Sequence, residues 1–181
     1  MTMVEDFAQK VLEGENISRS EALQLYEQPL EELVVWANRI REKYCGNGFD
    51  ICTIINAKSG RCSENCRFCS QSIHSHTSSD VYPLLSKAEI VKRAQSDASK
   101  GILRFSIVTS GKRLTNREVL KVCEAVREIK STCHISVCAS LGLLKQEQFV
   151  WLKEAGVERI HNNLETSEQN FPNVCTTHTF S

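Results

Sequence analysis

The sequence predicts an α/β fold: a helical segment over residues 1–50, then about four βα units over residues 51–181 that build a parallel sheet. Three observations carry this. Short β-branched runs alternate with helical patterns at roughly thirty-residue spacing, the mark of βαβ units. Helix starts are written as capping boxes, in which a Ser or Thr and a Glu three residues later satisfy each other's backbone amides. Two of the strand-like runs, Ser106-Ile-Val-Thr-Ser-Gly111 and Ser136-Val-Cys-Ala-Ser-Leu-Gly142, end alike in small residues and glycine. Such ends let a ligand approach the backbone, at the sheet edge where parallel α/β folds gather their ligands.

Taken in order, Ser18-Arg-Ser-Glu21 opens a short helix through Leu23 and Leu25. Pro29 suits the first turn of a second helix, where Leu30, Leu33, Val34, Ala37 and Ile40 give one buried stripe until Gly46 or Gly48 ends it. Ile51–Ile55 is the first strand. A polar, cysteine-bearing loop without periodicity runs on to about Ser79. Ser86-Lys-Ala-Glu89 opens a helix that Gly101 closes, and Leu103–Val108 is the second strand. Thr115-Asn-Arg-Glu118 caps a helix with Val119, Leu120, Val122, Cys123 and Val126 on its inner face. His134–Cys138 is the third strand, Gln146–Ala155 a helix stopped by Gly156, and Arg159–Leu164 the fourth strand.

The chain has 181 residues, is 41% hydrophobic and carries no net charge, which suits one globular unit with a sizeable core. Balanced charge gives no electrostatic case for nucleic acid or an anionic membrane surface. No apolar run approaches the roughly 20 residues that span a bilayer. Met1-Thr-Met-Val-Glu-Asp-Phe7 has neither the basic start nor the apolar core of a signal peptide, so a cytoplasmic protein is expected. The nine cysteines are odd in number, which argues against a disulfide framework.

Cys62, Cys66 and Cys69 sit in Arg61-Cys-Ser-Glu-Asn-Cys-Arg-Phe-Cys-Ser70, spaced C-x3-C-x2-C. Four soft ligands would close a zinc site or a [4Fe–4S] cluster; three leave one iron open to a small molecule. The competing reading is structural zinc completed by Cys52, His74 or His76. The other cysteines, Cys45, Cys52, Cys123, Cys133, Cys138 and Cys175, are by default small buried hydrophobes. His74 and His76 lie in a polar loop and read as solvated.

The segment Asn56–Gln71 resembles the signature of the biotin synthase family of radical S-adenosylmethionine (SAM) enzymes. The resemblance continues through Ser106–Gly111, Val137–Gly142, His161-Asn-Asn-Leu-Glu-Thr-Ser167 and Asn173-Val-Cys-Thr-Thr-His-Thr-Phe180, and covers nearly the whole chain. It implies the N-terminal part of a radical SAM TIM-type (β/α) barrel, incomplete at four of eight strands. It also implies conversion of dethiobiotin to biotin by sulfur insertion, with an electron donor such as flavodoxin or ferredoxin, a homodimer as one assembly, and neither nucleic acid nor membrane as partner. By position, Cys62, Cys66 and Cys69 would bind the [4Fe–4S] cluster. Phe68 would lie near the adenine, Thr109, Ser110 and Gly111 would offer backbone groups to SAM, and Glu165 would hold the ribose. Asn163 would stand between SAM and substrate. Cys138, with Ser106 where relatives carry a cysteine, would belong to a second cluster, [2Fe–2S] or another type. His161 stands where many relatives have asparagine. The alternatives are an inactive truncated fragment that binds a cluster or zinc, and another radical SAM enzyme with a related barrel.

Overall fold

A computed structural model describes residues 2–181 and shows two compact units, Met1–Phe49 and Asp50–Ser181. The first holds three helices, α1 (Met3–Leu12), α2 (Arg19–Leu25) and α3 (Leu30–Cys45). Ser18 and Glu21 form the expected box at the start of α2, with the Ser18 amide donating to Glu21 Oε2 at 2.6 Å. That amide, then Lys10 and the Ser18 hydroxyl, hold the Glu21 carboxyl down at about 2. Val4 and Ala8 on α1 are buried, and the apolar groove beside them is lined from α3 by Leu33, Trp36, Ala37 and Ile40. The stripe expected on α3 is therefore displaced: Leu30 and Val34 are 68% and 56% exposed. Both follow helical spacing from Leu33 and Ala37, but they flank the contact face, and Trp36 takes the inward place.

The second unit is a parallel sheet in the order β1 (Cys52–Lys58), β2 (Arg104–Thr109), β3 (Ser136–Ser140), β4 (Arg159–Ile160). The connecting helices are α4 (Lys87–Ala98), α5 (Asn116–Thr132) and α6 (Gln146–Ala155). Ser86–Glu89 and Thr115–Glu118 close the capping boxes that the sequence predicts. Strand β1 runs three residues beyond Ile55, with a register shift between Asn56 and Lys58. Strand β4 is two residues rather than six. After Ile160 one further bond forms, His161 N–H to the Ala139 carbonyl at 2.8 Å, and the polar run Asn162–Glu165 leaves the sheet.

Alternation along the strands sorts the two faces of the sheet. Ala57, Phe105, Ile107, Val137 and Ala139 face the helices and form the core with Ile90, Val122, Val126, Ile129 and Leu152. Fully burying one of the Val, Ile, Leu or Phe side chains is worth roughly 1.5–3 kcal/mol. Leu120, expected on the inner face of α5, is 45% exposed, because Val119, Val122, Cys123 and Val126 already fill the stripe. Two buried polar side chains on this side are well partnered. Asp97 accepts from Thr53 Oγ1 at 2.9 Å and from Arg93, and Gln148 donates to Leu114 O and Asn116 Oδ1. The other face carries Cys52, Arg104, Ser106, Cys138 and Arg159 at alternate, register-matched positions.

Glu118 has two tasks. Within its box it accepts from the Thr115 amide at 2.8 Å, and it meets Lys58 Nζ at the end of β1 at 2.7 Å. Burial raises its pKa, but the bonds from Lys58 and Thr115 outweigh that and hold the carboxyl below the usual range.

Candidate active site and metal centre

The cysteine loop folds on its own backbone. Cys62 donates its amide to Gln71 O and accepts from Ile73 N–H, both at 2.9 Å, so the two ends of the motif are clasped. The Cys69 amide returns to Cys66 O at 3.0 Å. Gln71 Oε1 accepts from the Gly60 amide at 2.6 Å and from Ser59 Oγ at 3.0 Å. Three thiols therefore come from one rigid turn of chain, with Cys62 buried and Cys66 and Cys69 half-buried.

Across the loop lies the segment that follows α7 (Phe171–Val174). Val174 O accepts from the Arg67 amide at 3.1 Å. The Asn65 carboxamide pairs with Thr176 twice, Nδ2 donating to Oγ1 at 2.7 Å and Oδ1 accepting from the amide at 2.9 Å. Glu64, 7% exposed, receives Thr177 Oγ1 at 2.7 Å and faces His178 Nδ1 at 2.5 Å, with Lys112 Nζ 3.7 Å away. Burial pushes the Glu64 pKa up; those hydrogen bonds and the Lys112 charge more than reverse it, and the group stays ionised below its ordinary range. Phe171 meets the edge of the His178 ring at 5.3 Å between centroids.

A cavity of about 170 Å³ opens where these pieces meet. Cys62 and Cys66 line it together with Gly111, Asn163, Glu165, Cys175 and His178. Burial, then a hydrogen bond with Cys175 and the neighbouring thiols, pushes the Cys66 thiol up to about 12. At Cys175 burial acts upward, but the bonds from Thr177, Cys66 and His178 bring the thiol below its ordinary value. Glu165 holds φ +65°, a left-handed backbone that costs a side-chain-bearing residue of order 1–2 kcal/mol. Strain of this kind collects at functional sites.

The remaining residues that the resemblance singles out lie elsewhere. Phe68 is 60% exposed and outside the cavity lining. Ser110 is buried, its hydroxyl donating to Gly60 O at 2.8 Å and its amide to Lys58 O at 2.9 Å, which ties the end of β2 to the base of the cysteine loop. Thr109 is half-buried, with its hydroxyl unpartnered among the described residues. Ser106 and Cys138 are register partners on the sheet face away from the helices, both buried; Ser106 Oγ has no hydrogen-bond partner among the described residues, and burial raises the Cys138 thiol. His74 and His76 are exposed. Glu64, Lys112, Cys175 and His178 are site residues to which sequence reasoning assigns no role. The Thr-Thr-His-Thr run points at the segment and not at what it touches.

The family profile of the Radical SAM superfamily matches residues 57–181. The chain belongs to the radical SAM superfamily. This radical SAM chain is 53% identical over 180 residues to the biotin synthase of Akkermansia muciniphila, covering 99% of the chain and 56% of that protein. It is 53% identical to biotin synthase 2 of Corynebacterium diphtheriae, of which it spans 55%, and 49% identical to the biotin synthase of Clostridium botulinum strain Alaska E43, of which it spans 57%. The radical SAM chain thus spans little more than half the length of these relatives. Its fold is that of the FeFe-hydrogenase maturase HydG from Carboxydothermus hydrogenoformans, with a TM-score of 0.74 at 20% identity over 98% of the chain and 42% of HydG. The four parallel strands with their helices are part of a radical SAM barrel. Among the described residues no helix is long and apolar enough to cross a membrane.

Proposed function

We propose that the chain is the N-terminal portion of a biotin synthase, acting in the cytoplasm on dethiobiotin. The observation that carries this is the cavity that joins two motif thiols to Gly111, Asn163 and Glu165. The donor set fits a [4Fe–4S] cluster held by Cys62, Cys66 and Cys69: the three are soft thiols on one clasped loop, and the motif itself offers no fourth. When bound, that cluster supplies the electron that splits SAM into methionine and the 5′-deoxyadenosyl radical that takes hydrogen from the substrate carbons.

The chain's own residues bind and orient. Gly111, without a side chain, lets SAM approach the backbone beyond β2, and the Ser110–Gly60 tie keeps Thr109–Gly111 against the loop. The exposed Glu165 carboxylate suits the vicinal hydroxyls of a ribose, and the Asn163 amide can both give and accept a hydrogen bond between SAM and the ureido ring. Phe68 offers an open aromatic face for adenine. Ser106 and Cys138 supply between them one thiolate, whereas a [2Fe–2S] cluster takes four soft ligands, so these two residues do not by themselves hold a second cluster. A small electron-transfer protein of the flavodoxin or ferredoxin kind supplies the electron, and two copies of the whole enzyme form the assembly.

Anaerobic reconstitution tests the reading. The brown chain should hold about four irons and about four sulfides and yield 5′-deoxyadenosine from SAM under reduction; biotin formed from dethiobiotin then identifies the substrate. Stoichiometric zinc without inorganic sulfide after reconstitution would sink it.

A further inference from the structure

The structure places a second set of soft ligands where the cysteine loop meets the segment after α7, and it shares Cys66 with the motif triad. Cys66, Cys175 and His178 bring one ligand atom each to within 4.8 Å of one another. Cys175 Sγ lies 3.2 Å from His178 Nδ1. Around a tetrahedral zinc, sulfur and nitrogen ligands stand roughly 3.6–3.8 Å apart, as follows from bonds of about 2.3 and 2.0–2.1 Å. A rearrangement of about 1 Å or less closes this set on a metal.

The surroundings are those of a metal site. Two thiols and an imidazole are the donors of zinc and of cobalt, and their mixture of sulfur and nitrogen separates them from the all-thiol triad. Glu64 Oε2 faces the same His178 Nδ1 at 2.5 Å, so metal binding through that nitrogen displaces the Glu64 contact and leaves the carboxylate's negative charge beside the ion. Asn65 and Thr176 hold the two chain segments together at 2.7 and 2.9 Å, so the ligands from residues far apart in sequence are positioned in advance. All three ligands line the cavity of about 170 Å³, which gives an ion its way in.

We propose that the cluster-free chain binds one zinc-class divalent ion through Cys66, Cys175 and His178. Binding makes two sulfur–metal bonds and one nitrogen–metal bond, releases the thiol protons to solvent, and involves no oxidation or reduction. Cys66 belongs to both ligand sets, so zinc and the iron–sulfur cluster exclude each other. The exclusion rests on the cluster assignment made above; the metal site does not.

The test is a Co²⁺ titration of the reduced, cluster-free 181-residue chain, followed by thiolate-to-cobalt charge transfer and the visible bands of tetrahedral cobalt. One equivalent should bind and be displaced by one equivalent of Zn²⁺. Cys175→Ala and His178→Gln should each weaken binding tenfold or more, whereas Cys62→Ala and Cys69→Ala should retain it. Far-UV circular dichroism checks the fold, and if Cys175→Ala unfolds, the half-buried position His178, as His178→Gln, decides the matter. Binding that survives in His178→Gln and Cys175→Ala but disappears in Cys69→Ala would put the metal on the motif triad and overturn the proposal. A second arm adds iron and sulfide to the zinc-loaded chain: cluster growth should release zinc, and a chain holding both overturns the exclusion. If no cluster forms even without zinc, the biotin synthase reading fails while the cobalt result stands.

Discussion

Gly142 is where one added methyl group should do most damage near the cavity. A Cβ built there lies 2.2 Å from Lys112 O and 2.7 Å from Lys112 C, at φ +78°. Gly101 supplies a matched control, since φ is +79° and nothing lies within 4 Å of its Cβ. Both alanine variants carry the left-handed backbone cost of about 1–2 kcal/mol, offset by about 0.4–1 kcal/mol from the stiffer unfolded chain. Gly101→Ala should therefore cost about 1 kcal/mol. At Gly142 the Lys112 peptide must also move by most of an ångström before the contact reaches 3.0 Å, and that peptide accepts from the Leu143 amide at 2.8 Å. Overpacking of this kind adds about 1–3 kcal/mol, which brings Gly142→Ala to about 3 kcal/mol. Urea denaturation of the two variants and the parent at equal m-values measures the difference. Equal losses at the two positions would refute the argument, because only the close approach to Lys112 distinguishes them.

Other outcomes follow from the same geometry. Cys69→Ala should abolish cluster assembly and SAM cleavage, measured as iron per chain and 5′-deoxyadenosine. Glu165→Ala should weaken SAM binding by about tenfold, the loss of one charge-assisted hydrogen bond, with iron content unchanged; loss of the cluster in that variant counts against its role at the ribose. Ser106→Ala removes a buried hydroxyl that has no partner among the described residues, and should be neutral or stabilising by up to about 1 kcal/mol in urea melts. For Glu21 the folded pKa of about 2 lies below the ordinary value of 4.5, so its contribution is full above about pH 4.5 and is lost as pH falls toward 2. The deficit in melting temperature of Glu21→Gln should accordingly shrink across that range, and a deficit constant with pH would exclude the charge as its cause.

Short-range chemistry is what the sequence makes legible. The boxes at Ser18, Ser86 and Thr115 are four-residue arrangements, and each opens its helix in the structure. The order of strands and helices follows from periodicity, and the common origin of Cys62, Cys66 and Cys69 from their spacing. Strand β4 is shorter than its sequence suggests because its place in the βα alternation marks a strand without setting its length, whereas how far it pairs depends on β3, which meets it at Cys138 and Ala139 alone. Leu30 and Val34 carry helical spacing without revealing how α3 is rotated against α1. Cys175 and His178 cannot be placed from sequence, since their contacts with Asn65 and Glu64 cross 110 and 114 residues.

The position of Glu118 has a further consequence. The same carboxylate finishes the first turn of α5 and anchors Lys58, the residue at the root of the cysteine loop. A fraying of that helix end therefore takes one partner from Lys58, and a loosening of the loop's root takes one from Glu118. The first turn of a core-packed helix and the root of the cysteine loop are in this way joined through one shared carboxylate.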